Sequence, residues 1–220
     1  MRKRVLIAWS GGKDSAWALH LLRRQPEIEI AGLFTTVHED PDRVAVHAVR
    51  TSLLRAQAAA AGAALHTIAI PRPCPNLVYE RAIASFIERA KGDGVTRVAF
   101  GDLFLEDIRR YRERQFAGSG MELLFPLWGF PTRRLAEDMT DQGLRALIVC
   151  VDVGRAPREW AGAAFDRQFV ERMPPGIDPC GENGEFHTFV HEGPMLGAPL
   201  HVQVAGVSEA GGFAYADLAP

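Results

Sequence analysis

The stretch "SGGKDS", residues 10–15, lies between the apolar run "RVLIAW" and a stretch of helical period over 13–24, and it limits the fold more than any other feature. Successive glycines let neighbouring backbone N–H groups turn into one concavity, and a helix starting near Lys13 adds its positive dipole end. The result is a cradle for an anion, and a phosphate fits it. The spacing matches neither G-x-x-x-x-G-K-[ST] nor G-x-G-x-x-G, so neither common nucleotide fold is supported. The plainer alternative is a glycine-rich turn capped by Ser10 or Ser15. The coincidence of strand, loop, lysine and helix favours a binding loop.

Short apolar runs then alternate with longer helical stretches: "EIEIAGLFTT" and 44–61, "LHTIAI" and 76–91, "TRVAFGD" and 103–116. This alternation predicts an α/β fold with a parallel, Rossmann-like sheet. In the second helix Val46, Val49, Leu53 and Leu54 form a core stripe that Gly62 ends. Ligands of such sheets sit at the carboxyl ends of the strands, where Ser10, Thr35 and Asp102 fall. After about Gly118 the pattern loosens, and "RMPPGIDPCGENGEFHTFV" is rich in turns. The division expected is a phosphate-binding domain over 1–118 and a smaller C-terminal α/β region over 119–220 that supplies the substrate or acceptor side.

Over 220 residues, 47% hydrophobic content is enough for a proper core, and a net charge of −2 offers no bulk attraction to nucleic acid or acidic membranes. Cys74, Cys150 and Cys180 form no C-x-x-C pair, which argues against structural zinc and a disulfide framework and fits a reducing cytoplasm. The basic N-terminus precedes only five apolar residues before Ser10, too few for a signal core or a membrane span. No membrane partner is expected, and a homodimer is compatible with this reading.

The loop resembles that of the PP-loop ATP pyrophosphatases, whose S-G-G-x-D-S follows the first strand of an adenine nucleotide alpha hydrolase fold. "HAVRTSLLRAQAAAAG", "FGDLFLEDIRRYRERQ" and "DPCGENGEFHTF" extend the resemblance to the diphthine-ammonia ligase branch and its bacterial relatives, from residue 4 to about 191. The resemblance implies ATP and Mg²⁺, with the loop holding pyrophosphate while a substrate oxygen attacks the α phosphorus. Ammonia then displaces AMP. It further implies diphthine on elongation factor 2 as the carboxylate in an archaeal or eukaryotic source, and another, unknown carboxylate in a bacterial one. Family members often carry Glu where His187 stands.

The expected nucleotide contacts are Ala8, Trp9, Ser10, Gly11, Gly12, Lys13, Asp14, Ser15, Thr35 and Gly101, with Asp14 and Asp102 as metal ligands. Asp102 at a strand end suits magnesium or ATP orientation, though a helix N-cap looks the same in sequence. Arg109 and Arg112 stand out from a mixed-charge helix because the resemblance sets arginines near the cleft, where a guanidinium binds phosphate or carboxylate bidentately. It also sets His47 near the nucleotide. Glu182, Glu185 and His187 sit within six residues and are separated by Gly184, so one loop turns several acid–base groups toward one point. Together with Lys13 and Asp102 they are the candidate catalytic groups, expected to face the α phosphate. Cys150 reads as strand core, and Cys180 offers little for a thiol mechanism.

The leading expectation is therefore an AMP-forming amide ligase. Two alternatives keep the same loop. A tRNA-modifying enzyme needs a basic surface and commonly a cysteine pair, which this chain lacks, so tRNA is disfavoured. A non-catalytic ATP sensor leaves "GENGEFHT" without a purpose.

Overall fold

The computed structural model describes residues 2–38, 43–44 and 49–220. Five parallel strands form the larger sheet: β1 (Lys3–Ala8), β2 (Ile28–His38), β4 (Leu65–Ile70), β5 (Arg97–Ala99) and β6 (Glu122–Leu124). Their spatial order is β4-β2-β1-β5-β6, and the two-residue β3 (Arg43–Val44) pairs antiparallel with the far end of β2. The sheet is the Rossmann-like one the alternation implies, and it takes in Glu122–Leu124, past Gly118. Helices α1 (Lys13–Arg23), α2 (Thr51–Ala60), α3 (Asn76–Gly92) and α4 (Glu106–Gln115) connect the strands.

Two helix starts differ from expectation. The second helix begins at Thr51, not near residue 44, because Arg50 is extended and Arg43–Val44 join the sheet. Val46 and His47 lie outside the described residues. The fourth begins at Glu106 after an extended Leu105, so Asp102 is not its cap.

The C-terminal region is a smaller antiparallel sheet around β7 (Arg145–Asp152), flanked by α5 (Thr132–Asp141) and α6 (Arg167–Glu171). β8 (Ala164–Phe165), β9 (Phe186–Glu192) and β11 (Phe213–Ala219) all pair with β7, and β10 (Gln203–Ala210) closes the edge against β11. The run "ALIVCVD" is almost wholly buried, as a strand covered on both faces must be, and Cys150 lies within it at 2% exposure.

One apolar cluster runs from Val5, Leu19 and Leu54 of the first sheet and its helices through Met139 to Ile148, Phe189 and Leu218 of the second. A separate cluster around Phe34, Phe86, Val98 and Phe116 fills the other face of the first sheet under α3. The seam between the regions is thus core, and β9 is its contact strand: the Val190 N–H donates to the Gly11 carbonyl at 3.0 Å.

Candidate active site

Crossovers from β1 lead toward β2 and β4, whereas β5 leads the other way to β6, so the loops leaving β1 and β5 part and open a crevice between them. A cleft of about 430 Å³ lies there, within the range of small-molecule sites. Ala8, Trp9, Ser10, Asp14, Ser15, Thr35, Gly101, Asp102, Arg112, Glu182 and His187 line it. Most of the residues singled out from the sequence are therefore brought to one place.

The loop is braced from below. Gly11 takes a positive φ of 80°, and a Cβ there would meet Leu54 Cδ2 at 2.5 Å. Gln57, wholly buried, accepts from Trp9 Nε1 at 2.7 Å and donates to the carbonyls of Gly11 (2.9 Å) and Val190 (2.6 Å). Ser10 Oγ accepts from the Gly12 N–H at 3.2 Å, and Thr188 Oγ1 of β9 accepts from the Lys13 N–H at 3.1 Å. Two amides expected to bind phosphate are thus already engaged, and Gly11 and Gly12 are buried beneath the cleft instead of lining it.

Lys13 departs most from expectation. Its side chain is 2% exposed and turned into the protein, where Nζ donates to Asp14 Oδ2 at 2.8 Å and to the Cys180 carbonyl. Burial, the largest single influence, pushes its pKa down, but Asp14, Cys180 and Glu182 together hold it above the ordinary lysine value. It neither lines the cleft nor reaches into it.

Several polar atoms at the cleft are buried without a hydrogen-bond partner: Asp14 Oδ1, Asp102 Oδ2, Arg112 Nε and Gln115 Nε2. Such orphans in a polar crevice mark a ligand's place. Arg112 Nε stands 3.7 Å from Asp102 Oδ2, and its guanidinium lies over the Phe100 ring at 4.7 Å. Burial pushes Asp102 upward, only partly offset by Arg112. Among the described residues no group of three or more His, Cys, Asp or Glu is placed to hold a metal alone. Two hard carboxylate oxygens do fit Mg²⁺, which usually takes one or two carboxylates and completes its shell with phosphate oxygens and water.

From the second region, Glu182 and His187 reach the cleft. Glu182 Oε1 accepts from the Leu103 N–H at 2.8 Å, and burial lifts its carboxyl to about 7. His187 is pushed down to about 4 by burial, with Lys13 adding to the effect.

Glu185 does not join them. At 4% exposure its Oε1 accepts from the Asp178 N–H at 3.0 Å and from Asn183 Nδ2 at 3.2 Å, so it braces the loop from within. Strand alternation would put Glu185 and His187 on one face, but Glu185 sits just before β9, where the loop turns its carboxylate inward to Asp178 and Asn183, whereas His187 lines the cleft. Arg109 is the other correction. It pairs with Glu113 and stacks over Phe125 and Trp128 at 4.9 and 4.7 Å, away from the cleft. Cys180 is buried with its thiol pushed upward by burial, unsuited to nucleophilic work.

The cleft also has an apolar wall that motif reading misses, built by Phe34, Tyr79, Ile83, Phe100, Ile108 and Phe116. Tyr79 and Ile83 are one turn apart on α3, and Ile108, Arg112 and Gln115 follow i, i+4, i+7 on α4. That spacing was the available signal.

No helix among the described residues is long and apolar enough to cross a membrane. Two family models match the chain: diphthamide synthase N-terminal domain over residues 2–123 and diphthamide synthase C-terminal domain over residues 131–213. No curated protein matches it.

Proposed function

Because the chain belongs to the diphthamide synthase family, we propose that it is an ATP-dependent ligase that activates a substrate carboxylate as an acyl adenylate and passes it to ammonia. The observation that carries this reading is the buried Asp14 Oδ1, without a hydrogen-bond partner, beside the long Asp102–Arg112 ion pair around one cleft at the crossover point of the sheet. A carboxylate oxygen attacks the α phosphorus of ATP and pyrophosphate leaves; ammonia then attacks the acyl carbon and AMP leaves. Ser10 offers a hydroxyl to the phosphates, whereas that of Ser15 donates to the Gly12 carbonyl at 2.9 Å and shapes the loop, and the apolar wall accepts the base or the acceptor's carbon skeleton. Among the described residues that line the cleft, Arg112 is the lysine or arginine side chain for a phosphate or carboxylate. Asp14 and Asp102 would hold Mg²⁺, which supplies charge neutralisation at the phosphates. With its carboxyl near 7, Glu182 suits accepting the proton that ammonium must lose, since a general base works best close to the operating pH.

The test is product analysis. Incubation with Mg·ATP, ammonium and a pool of carboxylates is expected to give AMP and pyrophosphate in equal amounts; ADP and phosphate as products would overturn the reading. The carboxylate consumed identifies the substrate. Diphthine on elongation factor 2 is the first to try, followed by small-molecule acids.

A further inference from the structure

A lysine in a glycine-rich phosphate loop ordinarily extends into the ligand cleft, and here it does the reverse. Lys13 Nζ is enclosed by Asp14 Oδ2, the Cys180 carbonyl and the rings of Phe186 and Phe165, whose centroids are 5.6 and 5.8 Å away. An ammonium has three N–H donors; two are engaged and the ring faces suit the remaining charge. To reach a phosphate it would leave Asp14 and a buried carbonyl unpaired, a costly exchange. Its contacts have a directional consequence. With Oδ2 held, Asp14 has only Oδ1 left over, and Oδ1 is buried at the cleft without a hydrogen-bond partner. Two residues beyond Cys180 stands Glu182, whose carboxylate in turn accepts from Leu103, next to Asp102.

We propose that Lys13 is a positioning residue: it aims Asp14 Oδ1 at the metal–nucleotide site and ties the phosphate loop to the loop that carries Glu182, without touching the nucleotide. This rests on the reading of the cleft as a Mg·ATP site.

The experiment is a binding cycle by calorimetry with α,β-methylene-ATP, which is not cut between its α and β phosphorus. Wild type, Lys13→Met, Asp14→Asn and the double variant are compared with Mg²⁺ and with a chelator. Lys13→Met is expected to weaken binding about tenfold with metal, as loss of a residue orienting a metal ligand does, and about twofold or less with chelator. In the Asp14→Asn background the same change should add nothing, because its route to the metal is gone. An equal loss with chelator, or a loss that persists without Asp14, would make Lys13 a phosphate ligand and overturn the proposal. Should Lys13→Met lack a cooperative melt, Lys13→Gln, which keeps a donor for Asp14, takes its place in the cycle, with near-wild-type metal dependence expected. No binding by the wild type would sink the nucleotide reading and the proposal together, whereas wild-type binding with either adverse pattern sinks the proposal alone.

Discussion

Gln57 holds three groups at once: the Trp9 indole, the Gly11 carbonyl and the Val190 carbonyl. Gln57→Leu keeps the volume and strands the indole N–H and the Val190 carbonyl, while Gly11 retains the Val190 N–H. At roughly 1–3 kcal/mol for each buried group left unpaired, a loss on the order of 3 kcal/mol is expected, read from denaturant midpoints at constant slope. A loss within experimental error would mean that the knot is incidental. His187 gives a prediction with a definite sign. Its folded pKa of about 4 lies below the ordinary 6.5, so the neutral ring contributes stability above about pH 6.5. That contribution is lost as pH falls from there toward 4, since the unfolded chain takes up the proton first. His187→Gln should therefore lose less stability than the wild type over that window, and parallel pH curves for the two would refute the assignment.

At the level of elements, the strand–loop–helix around residues 3–23 depends on Gly101 as much as on its own glycines. A Cβ on Gly101 would lie 2.9 Å from the Asp14 carbonyl carbon and 3.0 Å from the Ser15 nitrogen, so the β5 loop and the start of α1 approach as only glycine allows. Gly101→Ala is expected to push the two loops apart and lower turnover by about 10²-fold, as displacements near 1 Å can do, with a much smaller effect on melting temperature. Unchanged turnover would show that the loops yield without consequence. Much of this arrangement was legible in sequence, because it is local: "LHTIAI" is β4 residue for residue, and the loop, Thr35 and Asp102 reach the carboxyl edge through strand and helix periods alone. What was not legible joins distant positions. Nothing near Lys13 announces that its N–H will be met by Thr188 or its ammonium by Cys180, and nothing in "GENGEF" tells the inward Glu185 from the outward Glu182.

The whole molecule has a core that does not stop at the boundary between its sheets, since Leu54, Leu135, Ile148 and Phe189 belong to one cluster. A single thermal transition is expected, with the fluorescence of Trp9 near the cleft and that of Trp160 in the second region changing together. Two separate transitions would mean that the seam is weaker than its burial implies. A nucleotide bound at the crevice should raise that one transition as a unit, by about 2.7 kcal/mol at a hundredfold excess over its dissociation constant. The strand β9 gives this unity a further meaning. The floor of the phosphate loop, from Thr188 under Lys13 to Val190 under Gly11, is made by chain that follows it by some 175 residues. The glycine loop is accordingly not portable: a fragment ending after β6 would carry the whole motif and its Gln57 brace but none of the floor that β9 supplies. Swapping the second region between relatives to change substrate would exchange the support of the nucleotide site too, so acceptor specificity and ATP affinity are set to drift together in engineered chimeras.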